Sequence, residues 1–141
     1  MKKSLLTQMI GAAFMMSAGA ASAQLTDDSV RIGVLTDMSG IYSAVEGPGA
    51  LLAAQMAVED FGGSVLGKEI IITSADTQSK ADLSGSQARE MIDRDKVDVL
   101  MGNVSTSSAL AAMEVADQRK KIAFVTGAAS LPITNERCNP Y

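Results

Sequence analysis

The sequence predicts an α/β domain, a parallel sheet assembled from βαβ units with right-handed crossovers. Two observations carry this. Short β-branched runs alternate along the chain with longer segments whose apolar residues recur at helical spacing, and the runs are apolar almost without interruption, as strands covered on both faces require. Residues 30–36 (Val-Arg-Ile-Gly-Val-Leu-Thr) form the first expected strand. A polar, glycine-containing turn over 37–47 follows, and Pro48 suits the first turn of a helix, where its missing N–H costs nothing. In the helix expected over 49–61, Leu52, Met56, Val58 and Phe61 make the apolar face, Glu59 and Asp60 face out, and Gly62-Gly63 supplies the stop. Residues 69–75 are the second strand, ending at Asp76. A second helix over 80–95 carries Leu83, Ala88, Met91 and Ile92 on one side. Residues 97–102 are the third strand. A third helix spans 107–119, with Leu110, Met113, Val115 and Ala116 apolar, and the fourth strand is 122–126.

The chain has 141 residues, 47% of them hydrophobic and 20% charged, which suits one compact globular domain and is too short for two full ones. Twelve basic residues stand against 16 acidic ones, for a net charge of −4, and no basic run exceeds Arg119-Lys120-Lys121. Nucleic acid is therefore not expected as a partner, because neutralising phosphates takes a concentrated basic face. Histidine is absent, which removes Ser-His-Asp and Cys-His catalysis together with the commonest zinc ligand. Gly47-Pro48-Gly49-Ala50-Leu51-Leu52 starts like a dinucleotide fingerprint, but Leu52 stands at the third glycine. Neither a phosphate loop nor a hydrolase elbow is found, and Asp93, Asp95 and Asp98 read as a solvated acidic surface rather than a calcium loop. No enzyme and no cofactor are expected.

Lys2 and Lys3 precede an uncharged stretch whose most apolar part is 9–21, ending in Ala21-Ser22-Ala23. This is the layout of a cleaved secretory signal peptide over 1–23, the alternative being a membrane anchor, for which the run is short and polar-interrupted. Cleavage would leave 118 of the 141 residues with a net charge of −6, exported and without stable membrane insertion. Cys138 would then be a lone cysteine in an oxidising compartment, either free or paired with sequence outside this chain.

In parallel α/β sheets ligands bind beyond the carboxyl ends of the strands, which directs attention to 37–47, 76–79, 103–108 and 127–130. Asn103-Val104-Ser105-Thr106-Ser107-Ser108 is the richest of these. Hydroxyls and the free N–H groups of a helix start converge there and can hold a carboxylate without lysine or arginine. The alternative is plain N-capping, for which one hydroxyl suffices. Gly127-Ala128-Ala129-Ser130 occupies the corresponding turn after the fourth strand, where small side chains leave the backbone accessible.

Arg31-Ile32-Gly33-Val34-Leu35-Thr36-Asp37-Met38-Ser39-Gly40, Gly47-Pro48-Gly49 and Ala53-Ala54-Gln55-Met56-Ala57-Val58-Glu59-Asp60-Phe61-Gly62-Gly63 resemble the opening of periplasmic substrate-binding proteins of the branched-chain amino-acid (Leu/Ile/Val-binding) type, and the resemblance runs through Val65-Leu66-Gly67-Lys68 and Asp76-Thr77-Gln78. It implies one lobe of a type I periplasmic binding protein over 24–141, with the second lobe absent and the chain a fragment. It implies a solute-binding component that captures a small carboxylate-bearing ligand, an aliphatic amino acid, amide or aromatic acid, between two lobes in the periplasm and delivers it to the permease and ATPase subunits of an ATP-binding-cassette importer. The same fold also serves extracytoplasmic sensor domains, which is the alternative. By position, Ser105, Thr106 and Ser107 would touch the ligand, with Ala128 through its backbone and Ser130 through its hydroxyl. Tyr42 would follow from the first turn, although Ile41 stands where the family often has proline, and lobe packing is the other reading of this tyrosine. Asp37 is expected to bond the loop backbone rather than a ligand.

Overall fold

The structure, a computed structural model, describes residues 28–141, so the expected signal peptide and the first residues of the expected lobe lie outside the described residues. Among the described residues the elements in order are β1 (Ser29–Thr36), α1 (Gly47–Phe61), β2 (Ser64–Val65), β3 (Lys68–Asp76), α2 (Ala81–Asp93), β4 (Val99–Gly102), α3 (Thr106–Arg119), β5 (Ile122–Val125) and α4 (Leu131–Thr134). The sheet order is β2-β3-β1-β4-β5, with β1 parallel to both β3 and β4 and β4 parallel to β5. The α/β class and its βαβ alternation are as expected. The register sets Thr36 beside Asp76, Leu35 beside Gly102, and Gly102 beside Val125, so the carboxyl ends of four strands finish at one edge.

One short strand departs from the expected all-parallel sheet. β2 pairs antiparallel with the start of β3, and the chain reverses at Leu66 and Gly67, both at positive φ. β4 begins two residues later than expected, because Val97 and Asp98 use their N–H groups on Met91 and Arg31 carbonyls as an approach to the sheet. Asp98 is itself buried, accepting from the Arg31 N–H at 3.0 Å and from Lys121 Nζ at 3.3 Å. It is not the solvated acid that its neighbourhood in sequence suggests, whereas Asp93 does sit at the surface, paired with Arg119 at 2.9 Å.

α2 and α3 pack together on one face of the sheet. There Leu35, Ala88, Met91, Ile92, Val97, Leu100, Ala112, Val115 and Ala116 form the buried core. Gly33 belongs to the same face, for a side chain there would press on Met91, Val97 and Leu100. α1 lies on the opposite face. It presents Ala54 and Val58 to Ile32, Ile70, Ile72 and Met101 around a shallow crevice of about 240 Å³. The expected α1 face is therefore corrected: Val58 turns inward, but Leu52, Met56 and Phe61 are 56%, 54% and 65% exposed. The side of the helix turned to the sheet is Ala50, Leu51, Ala54 and Val58, each half-buried. α1 ends as expected at Gly62, whose left-handed φ of 98° lets the Gly62 and Gly63 N–H groups close onto the Glu59 and Val58 carbonyls.

Candidate functional site

The strand order reverses between β1 and β4, the position at which open α/β sheets form their ligand crevice. On the β1 side the loops are held by two carboxylates, one buried and one half-buried. Asp37, fully buried, accepts hydrogen bonds from the Gly40 N–H, the Tyr42 N–H at 3.0 Å and the Ser79 hydroxyl at 2.6 Å. Burial raises its pKa, and the bonds from Ser79, Tyr42 and Gly40 outweigh that effect, holding it below the ordinary aspartate value. Asp76 accepts from the Met38 N–H at 2.8 Å, the Ser39 hydroxyl at 2.5 Å and the Gln78 N–H at 3.0 Å. Its pKa is likewise lowered: burial raises it, and the bonds from Ser39, Gln78 and Met38 prevail. The two aspartates tie the loop after β1 to the loop after β3, and Asp37 takes the loop-bonding role expected of it.

On the β4 side the chain leaves the sheet through two residues in the left-handed region, Gly102 at φ 116° and Asn103 at φ 68°. A side chain at Gly102 would run into the Leu35 carbonyl, so glycine is required there. The Asn103 N–H bonds the Leu35 carbonyl at 2.9 Å, and its own carbonyl accepts the Ala128 N–H at 3.0 Å. Behind it, the buried Ser84 hydroxyl of α2 stands 3.2 Å from Asn103 Oδ1 and 3.0 Å from the Ser108 carbonyl, able to donate to either. The exit turn thus fixes the start of α3 against both neighbouring strands and α2.

The sequence-expected residues fall as follows. Ser105 is the N-cap residue of α3, yet its side chain makes no capping bond and instead lies 3.1 Å from the Ser107 hydroxyl. Thr106 and Ser107 open the helix, half-buried and exposed respectively, and Ser108 behind them is buried with an unpartnered hydroxyl. Ala128 uses its N–H on Asn103, which leaves its carbonyl as the backbone group on offer. Ser130 caps α4 without a side-chain bond. Tyr42 is 38% exposed and is anchored through its N–H on Asp37. Ser105, Thr106 and Ser107 are adjacent at one helix start and Ala128 is tied to their loop through Asn103; Tyr42 and Ser130 have no recorded hydrogen bond to that group.

Sequence reasoning missed Glu46. Its Oε2 accepts the Val104 N–H at 3.1 Å, across 58 residues of chain. Nothing local in the sequence signals so distant a contact. Among the described residues no cluster of three His, Cys, Asp or Glu could hold a metal ion, and no helix is long and apolar enough to cross a membrane.

Comparison with known proteins places this edge in context. Among curated proteins, none matches the chain. Among solved structures, a periplasmic binding protein from Burkholderia mallei is 48% identical with a TM-score of 0.79, over 81% of this chain and 30% of that one. A branched-chain amino acid ABC transporter periplasmic ligand-binding protein from Burkholderia xenovorans LB400 is 44% identical with a TM-score of 0.77, over 80% and 30%. A solute-binding protein of an ABC transporter from Rhodopseudomonas palustris BisB5, in complex with 3,4-dihydroxybenzoic acid, is 32% identical with a TM-score of 0.72, over 79% and 30%. The chain thus spans about 30% of the length of these relatives, consistent with a single lobe. They are solute-binding proteins and not enzymes. The periplasmic binding protein family matches residues 29–141, nearly the whole described chain, and the chain belongs to that family.

Proposed function

We propose that this chain is the first lobe of an extracytoplasmic solute-binding protein that captures a small carboxylate-bearing ligand, an aliphatic amino acid, an amide or an aromatic acid, against a second lobe, and delivers it to the permease and ATPase subunits of an ABC importer. Export through the signal peptide 1–23 puts it in the periplasm, free of stable membrane insertion. The observation that carries the reading is the start of α3: Ser105 stands at the N-cap without a side-chain cap bond, its hydroxyl meeting that of Ser107 instead, so the hydroxyl run does not cap the amides of its own helix. A helix start leaves its first amides without intrahelical acceptors, and its dipole favours an anion. A ligand carboxylate placed there takes N–H donors and charge-assisted hydroxyl bonds without needing a cation. The Ala128 carbonyl is then an acceptor for a donor group elsewhere on the ligand, and the Ser130 hydroxyl and Tyr42 are the remaining candidate contacts of this reading. The dihydroxybenzoate-bound relative supports a carboxylate as the shared recognition element.

Calorimetric titration of the complete gene product with leucine and with 3,4-dihydroxybenzoate tests this. Losing one charge-assisted bond in a closed cleft costs about 1.5–3 kcal/mol, so Thr106→Ala is expected to weaken binding of the accepted probe roughly tenfold or more, with a near-parental melting temperature. Ser108→Ala, which removes an already unpartnered buried hydroxyl, should leave affinity close to parental. Parental binding by Thr106→Ala would show the hydroxyl run to be structural and the site assignment wrong.

A further inference from the structure

We propose that Glu46 is a positioning residue for the ligand loop, holding the Val104 peptide from the far side of the β1–β4 crevice so that Ser105, Thr106 and Ser107 are presented in one fixed arrangement. This rests on the carboxylate-binding reading of that loop.

Three observations support it. Glu46 immediately precedes α1, and its carboxylate reaches the Val104 N–H at 3.1 Å, joining the loop after β1 to the loop after β4 across the switch point. Val104 is confined from its other side as well, since a side chain at Gly127 would stand 3.1 Å from Val104 Cα. The peptide that leads into the hydroxyl run is therefore held between a carboxylate and the turn after β5. Finally, Glu46 Oε1 is buried with no hydrogen-bond partner among the described residues. Burying a carboxylate with half its acceptors unused is unfavourable, and a chain that needed only a helix start here could use serine or threonine.

The electrostatics agree with the geometry. Burial pushes the Glu46 pKa above the ordinary glutamate value, and the bond from the Val104 N–H, with the Thr36 hydroxyl and the Asp37 N–H nearby, only partly offsets it. The charged group facing it is the Asp37 carboxylate at the end of β1, which adds to the rise. The first turn of α1 carries no acidic residue, and the Val104 and Gly127 loops contribute no charge. Protonation of Glu46 turns a charge-assisted bond to Val104 into a weaker neutral one.

The test uses the complete gene product with Glu46→Ala and Glu46→Gln, titrated with leucine and with 3,4-dihydroxybenzoate, and follows the Val104 amide by nuclear magnetic resonance over pH. Expected are an affinity loss on the order of tenfold in Glu46→Ala and recovery of most of it in Glu46→Gln, whose amide oxygen still accepts the N–H. The Val104 amide shift should titrate above the ordinary glutamate range in the parent and lose that titration in Glu46→Gln, a readout that holds even where Glu46→Ala fails to fold. Unchanged affinity in a folded Glu46→Ala, or a Val104 amide that ignores Glu46, overturns the assignment while the binding reading stands. A parent that binds neither probe overturns the functional reading, and the positioning role with it.

Discussion

The two faces of the sheet are built from similar helices and end in different states. On one, α2 and α3 lie against each other and against β1 and β4, and every residue of the core is 8% exposed or less. On the other, α1 stands alone. Gly47 is its one buried residue, Leu52 and Met56 stay more than half exposed, and Phe124 of β5 is 60% exposed. α1 is more apolar in composition than α2 or α3 and yet is the least buried, so composition does not set the outcome. What differs is the neighbour: a second helix shields the flanks of the first, while a lone helix on a twisted sheet covers only the strands directly beneath it. Amphipathic periodicity marks a helix, but burial is decided by what lies beside it.

Urea denaturation of the 141-residue chain is the way to break or sharpen that contrast. The largest effect is expected for Leu35→Ala, which opens a cavity where the side chain is fully buried, at a cost of about 2–5 kcal/mol. Gly33→Ala should come next, at about 1–3 kcal/mol, because its methyl group would lie 2.9 Å from the Met91 sulfur and 3.1 Å from Val97 in the same packed face. Leu52→Ala should be smallest, within about 0.5 kcal/mol of the parent, since the side chain is 56% exposed. A Leu52→Ala cost equal to that of Leu35→Ala would erase the distinction and show the α1 face to be covered in solution.

The same contrast explains what was legible beforehand. β1, β3, α2 and α3 carry their own evidence, because β1 is covered on both faces, the isoleucine run of β3 is half-buried and one face of each helix is buried, and the apolar pattern is correspondingly dense. The inner face of α1 was misassigned: apolar residues lie all around this helix, so periodicity does not choose between the stripe of Leu52 and Met56 and the one of Ala50, Leu51, Ala54 and Val58 that meets the sheet. β2 escaped notice because two residues carry no period, and its reversal uses Leu66 at positive φ, a residue that is no turn signal. The hydroxyl run at the start of α3 was visible because its residues are contiguous. Glu46 was not, for its meaning lies in an N–H that is 58 residues away.

The central position of β1 has a consequence in time. It is the first strand among the described residues, and each of its partners comes later: β3 begins at Lys68, and β4 is complete only at Gly102. At about 5–20 residues per second, seconds pass between the emergence of Thr36 and that of Gly102, during which Val-Arg-Ile-Gly-Val-Leu has no partner until β3 emerges and none on its β4 side until the end. Long-range parallel pairing is slow even once the segments coexist. On the proposed route of export, a nascent chain organised in this way would stay unfolded long enough to be threaded through a membrane channel, with β1 open on its β4 side during that interval.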